Sequence, residues 1–362
     1  MTKRTLPSTD TSITVLVVGT GAESDAWARA LRGVDAVDVE RLSGTTDDDL
    51  LEGLSRGGVD AVAFTAPVAD LAGAIKRAAM SRRHVLVAGP VALTSTQLLA
   101  LDELATRRGR TILFDTGSLA DERLAFVRKM TTGAQALWRP RYIRALRTGT
   151  QTRGTLDELA IGDVAAVLSI AGGLPGAVSA VAPRVDDETG AADVAMVTLA
   201  FDGGPVARVD VSLVEPLPRQ EIVVACDGRT MVLDAMDARA PLQIQATASH
   251  RGPARGGQWA ETVTEHPLGD AGDRMSRAAA LFAAAVRSDG AEQTNAREIA
   301  AAALVWETAR ASMSRGGEMV ALPASSPLVE SRRPSLQLIE GGGHRVETGE
   351  APVLKLVARR SS

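Results

Sequence analysis

The chain has 362 residues, enough for about two domains, with 45% hydrophobic and 23% charged residues and a net charge of −4. That balance excludes a global basic field for nucleic acid or an anionic membrane. The single cysteine, Cys226, excludes an intramolecular disulfide, no run of about 18 apolar residues marks a membrane span, and the polar N-terminus lacks a signal-peptide core. A cytoplasmic protein is expected.

Residues 1–12 are polar and read as a disordered start. Ile13 to Val18 is a β-branched run fit for a buried parallel strand. It leads through Gly19-Thr-Gly21-Ala-Glu-Ser24 into a helix expected over Asp25 to Leu31. Val37 to Leu42 is a weak second strand, and Asp47 to Ser55 a helix whose acidic start suits its dipole. Val59 to Phe64 is a strand ending at Thr65-Ala66-Pro67, followed by a helix over Val68 to Ser81. His84 to Val87 is a strand leading to Ala88-Gly89-Pro90. Thr94 to Arg107 is a helix capped by Thr94 or Ser95, and Thr111 to Phe114 a further strand. Strict β–α alternation implies a doubly wound parallel sheet over 13–120, with ligands at the carboxyl ends of its strands.

After about residue 120 the pattern changes. Helices are expected at Asp121 to Met130 and Leu156 to Ile170, with a strand at Arg141 to Leu146. Extended runs follow at Asp193 to Phe201, Val206 to Val214, Gln220 to Ala225 and Thr230 to Leu233. Asp202-Gly203-Gly204 and Asp227-Gly228 read as the turns between them. Residues Val206 to Leu213 alternate polar and apolar, as in a sheet with one covered face. Helices at Ala278 to Val286 and Ala296 to Met313 close an α+β domain over 121–323 with a mostly antiparallel open sheet. Residues 324–362 read as a flexible tail in which Val353 to Val357 could add a strand.

In a dinucleotide turn the first glycine makes the bend, the second admits the pyrophosphate, and the third lets helix and strand pack. Gly19 and Gly21 fill the first two places and Ser24 the third, while Glu23 puts a carboxylate near the phosphates. At the end of the second strand, where an acidic ribose reader is expected, the chain reads Arg41-Leu42-Ser43. Arg41 with Ser43 could suit a 2′-phosphate, and so NADP; Arg41 could equally be an ordinary surface arginine.

The chain resembles the glucose–fructose oxidoreductase / inositol dehydrogenase / MocA-like family over about residues 13–323. The resemblance rests on Val15-Leu-Val-Val-Gly-Thr-Gly21, Val59-Asp-Ala-Val-Ala-Phe-Thr-Ala-Pro67 and Arg83-His-Val-Leu-Val-Ala-Gly-Pro-Val-Ala-Leu-Thr94. It continues through Cys226-Asp-Gly-Arg-Thr-Met-Val-Leu-Asp234 and Trp306-Glu-Thr-Ala-Arg310 with Arg315-Gly-Gly-Glu-Met-Val-Ala-Leu322. It implies NAD or NADP, held by Gly19, Gly21, Ser24, Arg41, Ser43, Thr65, Pro67 and Pro90. It also implies a sugar- or cyclitol-like ligand and an open sheet that builds homo- or hetero-oligomers. The family's Glu-Lys-Pro signature reads Ala88-Gly89-Pro90 here, and its Asp-x-x-x-His reads Glu158-Leu-Ala-Ile-Gly162. The lysine and histidine that serve the chemistry in the family are thus both glycines.

A positioned base for an alcohol proton is worth about 10²–10⁴-fold in rate. Glu158, Asp157 and Asp163 are the substitutes in sequence reach, although Asp163 also reads as a helix-surface carboxylate. Arg144, Arg147 and Arg153 could bind an anion or pair with local carboxylates. His84 reads as structural, His250 and His266 flank a Gly/Arg-rich loop, and His344 is in the tail. Lys76 and Lys129 fall on helices. Tyr142 reads as a buried or interface aromatic, and Cys226 as a small buried hydrophobe. Ser24 and Ser118 lack a partnered histidine, and no His/Cys/Asp cluster has metal-ligand spacing. Two readings stand: a non-catalytic relative, acting as ligand sensor or partner subunit, and an NAD(P)-dependent oxidoreductase with a rebuilt acid/base site. The former is favoured by the double loss.

Overall fold

The computed structural model describes residues 12–89, 91–117, 119–133, 136–150, 154–183, 192–234, 236, 242–247, 261–266, 274–288 and 294–330. The chain divides into two compact units, 1–321 and 322–362. Within the first, strands β1 (Ile13–Val18), β2 (Val37–Leu42), β3 (Ala61–Phe64), β4 (His84–Ala88) and β5 (Ile112–Asp115) form a parallel sheet in the order β2-β1-β3-β4-β5. The connecting helices are α1 (Ala22–Arg32), α2 (Asp47–Ser55), α3 (Leu71–Met80) and α4 (Ser95–Arg108). β1 is central and its Val15, Leu16 and Val17 are wholly buried, as a strand with helices on both faces requires. β2 is an edge strand with its middle residues partly exposed, which accounts for its weak pattern.

Of the boundaries that differ from expectation, two have clear local reasons. α1 starts at Ala22 rather than Asp25, because Gly21 (φ 92°, ψ 178°) is itself the N-cap and the Asp25 N–H already donates to the Gly21 carbonyl. α3 starts at Leu71 rather than Val68, where the Asp70 side chain accepts from the Gly73 N–H. At α4, Thr94 is the cap, in a reciprocal box with Gln97.

After α5 (Glu122–Thr131) come β6 (Pro140–Thr148), α6 (Leu156–Ala171), β7 (Ala177–Val181), β8 (Val194–Ala200), β9 (Val206–Ser212), β10 (Arg219–Cys226), β11 (Arg229–Asp234), β12 (Leu242–Thr247) and β13 (Glu261–His266). Helices α7 (Arg274–Arg287) and α8 (Ala296–Met313) and the two-residue β14 (Val320–Ala321) complete the unit. The second sheet has nine strands, β13-β12-β11-β10-β6-β9-β8-β7-β14, and only the β6–β9 pair is parallel. β7, β12 and β13 fall where no strand was expected. β12 and β13 pair across a stretch read from the sequence as a Gly/Arg-rich loop. Among its described residues the 322–362 unit holds one short helix, α9 (Pro327–Glu330), in the stretch read as a flexible tail; residues 331–362, with Val353 to Val357, lie outside the described residues, as do residues 1–11.

One face of the second sheet carries the buried Ile143, Ala145, Val197, Ala207 and Val209. The opposite face presents Tyr142, Arg144, Val206 and Arg208, with ion pairs Arg144–Glu221 and Arg208–Asp210 at 2.7 Å each. Tyr142 is 38% exposed here rather than buried. Cys226 is half-buried, and burial, then the nearby Asp227 charge, pushes its thiol up to about 11, which disfavours the thiolate near neutral pH.

The C-terminal helices tie the two sheets together. α7 puts Ala278, Phe282 and Ala283 into the same core as Val15, Val17, Trp27 and Leu31. It therefore covers the first sheet, although it follows the second in sequence. The Asn295 side chain accepts from the Phe114 N–H and donates to the Phe114 carbonyl, both at 2.8 Å, closing the open edge at β5. From α8, Glu307 accepts from the Ser95 N–H and hydroxyl at 2.7 Å, holding the start of α4. Among the described residues no helix is long and apolar enough to cross a membrane.

Candidate functional site

Strand order reverses at β1, where α1 leaves toward β2 and the sheet continues through β3 on the other side. Crevices at such a switch point, at the carboxyl ends of the strands, are where doubly wound sheets bind ligands. Two adjoining cavities lie there. The first, about 380 Å³, is lined by Thr20 and Glu23 from the glycine turn and α1, Thr65 to Pro67 after β3, and Ala88 at the end of β4. The second, about 290 Å³, lies between the ends of β4 and β5 and the second sheet, and is lined by Gly89, Asp115, Arg147, Gly162, Gln220 and Arg274 among others. Among the lining residues only Glu23 and Glu158 belong to both.

The glycine turn is dictated by backbone geometry. Gly19 has φ 132°, and a Cβ there would lie 2.6 Å from Ala66 Cβ, so only glycine lets β1 and the end of β3 approach. Ser24, in the third fingerprint place, is fully buried. Its hydroxyl donates to the Gly19 carbonyl and accepts from Thr65 Oγ1, each at 3.0 Å. Serine therefore fills the glycine position by bonding the turn to itself. Arg41 pairs with Asp25 and reaches Ser24 Oγ at 3.3 Å with its other nitrogen. It is held over the turn by a carboxylate, while Ser43 is exposed. Thr65 is buried and Pro67 exposed, both on the larger cavity. Pro90 lies outside the described residues, as do Arg153, Ser118, His250 and His344.

The three carboxylates named as substitute bases separate sharply. Asp157 accepts from Trp306 Nε1 at 3.0 Å and Arg310 at 3.1 Å, bracing α6 on α8. Asp163 is 3% exposed and lies in a two-bond fork with Arg147, 2.7 Å to Nε and 2.6 Å to Nη2. Gln220, paired with Arg147 across β10 and β6, approaches the same carboxylate at 3.4 Å. Asp163 is thus no surface carboxylate: α6 packs that face against β6, and a buried acid is retained only with its partner. Arg147 and Arg144 both pair with local carboxylates. Glu158 alone faces the cavities. Its Oε2 accepts from the Thr155 N–H at 2.7 Å, closing the capping box that starts α6.

The two glycines at the family's reactive positions differ physically. Gly162 is helical, and a Cβ there would meet Thr116 at an ordinary 3.4 Å. Gly89 has φ 115°, a conformation side chains rarely adopt, and its nearest neighbour to a Cβ would be Glu23 Oε1 at 3.8 Å. A side chain is absent by composition at Gly162 and disfavoured by the backbone itself at Gly89.

His84 starts β4, at the end opposite the cavities. Its Nδ1 accepts from the Thr111 N–H at 3.1 Å, and Arg110 lies 3.0 Å from Nε2. Burial, then the Arg110 charge, lowers its pKa to about 4. Between this value and the ordinary 6.5 the unfolded chain binds more protons than the folded one, so stability falls as pH drops through that window. Titration by NMR should show the His84 ring unprotonated down to about pH 5. A pKa near 6.5 would mean the ring is solvated. His266 ends β13 opposite Leu242 at the edge of the second sheet. Among the described residues no acidic, histidine or cysteine cluster could hold a metal.

Sequence reasoning missed Asp115, Gln220 and Arg274 as cavity residues, and read Glu23 only as a charge near phosphate. Asp115 had a signal, since it ends a parallel strand at the ligand edge. Arg274 had none: it donates to the Gly117 carbonyl at 2.7 Å from 157 residues away.

No family model and no curated protein matches the chain. Solved structures do. GenD2 from gentamicin A biosynthesis, in complex with NAD, superposes with a TM-score of 0.68 at 18% identity, covering 87% of this chain and 97% of that one. An inositol dehydrogenase homolog from Azotobacter vinelandii, complexed with NADH and myo-inositol, gives 0.68 at 13% identity over 86% and 98%. The UDP-N-acetylglucosamine 3-dehydrogenase GnnA from Acidithiobacillus ferrooxidans gives 0.63 at 19% identity over 83% and 99%. The fold is that of the inositol dehydrogenase type. The resemblance read from the sequence therefore holds at the level of architecture, in both sheets and nearly end to end of each neighbour.

Proposed function

We propose that the protein holds a nicotinamide dinucleotide in the larger cavity and a sugar- or cyclitol-like molecule in the smaller one, and acts as a ligand sensor or partner subunit rather than as a dehydrogenase. A dinucleotide suits the larger cavity by its position. Gly19 and Gly21 adopt positive φ, α1 begins directly after them, and the cavity occupies the switch point. Arg41 is engaged by Asp25, so a 2′-phosphate would have to compete for it, which favours NAD over NADP. The open face of the second sheet is the surface proposed for pairing with another copy or an active relative.

One observation carries the non-catalytic reading: Gly89 and Gly162 offer no side chain to move a proton, and Asp163, next to Gly162 in the chain, is bound in a fork by Arg147. A bound nicotinamide would supply a hydride acceptor, but the alcohol proton still needs a base from the chain. Glu158, facing both cavities, favours a second reading in which it is that base. Calorimetric titration with NAD(H) and NADP(H), followed by a turnover assay on a polyol and sugar panel, separates the cases. Saturable binding without turnover is expected. Turnover that disappears in Glu158→Ala would replace the sensor reading with the dehydrogenase one, and no binding at millimolar dinucleotide would remove both.

A further inference from the structure

We infer that Asp115 and Arg274 choose the ligand of the smaller cavity, and that they choose an uncharged ring with neighbouring hydroxyls over its acidic and amino counterparts. This rests on the ligand half of the reading above and deepens it.

Asp115 ends β5 and Arg274 begins α7. Both line the smaller cavity, and both are bound to Gly117. The Gly117 N–H donates to Asp115 Oδ1 at 2.9 Å, and the Gly117 carbonyl accepts from Arg274 Nη1 at 2.7 Å. Gly117 has φ 94°, and a Cβ there would lie 3.1 Å from Arg274 Nη1, so glycine lets the guanidinium rest against the backbone. Opposite charges are thus fastened to the two ends of one residue, and they do not meet. Among the described residues neither side chain has another hydrogen bond or any ion pair.

Asp115 is 4% exposed, and a carboxylate so buried is ordinarily retained with a cation. Here the cation is close but held apart by Gly117. A carboxylate accepts several hydrogen bonds and a guanidinium donates several, and each side chain has spent one on Gly117. What remains is an acceptor and a donor set on one wall. Hydroxyls serve both, because they donate to the carboxylate and accept from the guanidinium. A ligand carboxylate would meet Arg274 but also Asp115 and Glu158, and a ligand ammonium would meet Asp115 but also Arg274. Arg147, the other cation of this lining, is committed to Asp163. Trp27, Leu159 and Met275 add apolar surface for the C–H face of a ring.

The test is calorimetric titration of the full chain, with NAD⁺ present, by glucose, myo-inositol, glucuronate and glucosamine, at a pH that keeps the amine charged. NAD⁺ is titrated alongside. The wild type should bind glucose or myo-inositol about tenfold more tightly than either charged sugar. Asp115→Asn keeps an acceptor for the Gly117 N–H, and it should improve glucuronate about tenfold relative to the uncharged rings. Arg274→Gln should do the same for glucosamine and not for glucuronate. Residues that only held the backbone would weaken all four ligands alike. That result, a wild type that prefers a charged sugar, or a chain that binds NAD⁺ and none of the four, overturns the inference. Selection among the sugars without NAD⁺ binding removes the dinucleotide reading instead and leaves this one standing.

Discussion

Replacing Asp121 by alanine should lower the unfolding free energy by about 3–5 kcal/mol, because it strands a buried guanidinium. Arg123 is 2% exposed and Asp121 8%. Asp121 receives Arg123 Nη2 at 2.8 Å and Nε at 3.1 Å, and caps α5 by accepting the Arg123 and Leu124 N–H groups. Arg123 also donates to the Asp234 carbonyl at 2.8 Å, so the pair fastens the start of α5 to the end of β11. Burial alone would raise the Asp121 pKa; the Arg123 hydrogen bond and charge, with the backbone donors, bring it below the usual 3.8. A carboxylate lowered on folding contributes stability above its unfolded pKa, and that contribution is lost as pH falls through the lower, folded value. Urea unfolding at neutral pH measures the loss, and its acid limb should flatten in the variant. A loss below about 1 kcal/mol would show that water reaches Arg123.

Asp163→Ala should act on stability and not on proton transfer. It leaves Arg147, 13% exposed by side chain, without its fork, and a loss of about 3 kcal/mol is expected. The double variant Arg147→Met/Asp163→Leu should recover most of it, since apolar side chains of similar volume often replace a buried pair without cost. Dinucleotide affinity should be little changed, because neither residue lines the larger cavity. If Asp163→Asn kept full stability while abolishing a measured turnover, Asp163 would return as the base and the sensor reading would fail.

Legibility was uneven within the site itself. Gly19, Gly21 and Ser24 could be placed from sequence because turn and helix start within a few residues of one another. Asp163 could not: from sequence it read as a helix-surface carboxylate or a substitute base, and its burial follows from the β6–β10 register that sets Arg147 beside Gln220. Glu23 was visible as a charge, but its nearness to Gly89, after β4, is set by the tertiary structure.

Local order determined the architecture. Strand, glycine turn and helix in strict succession, then alternating strands with Asp-Gly turns, specify a doubly wound parallel sheet followed by an open one, because side-chain period and turn chemistry act over a few residues. What only the tertiary structure decided joins residues far apart: α7 filling the first sheet's core, Asn295 clasping Phe114 across 181 residues, and Arg274 reaching the cavity across 157. Such contacts leave no periodic trace, since a helix shows which face is apolar and not which sheet that face will cover.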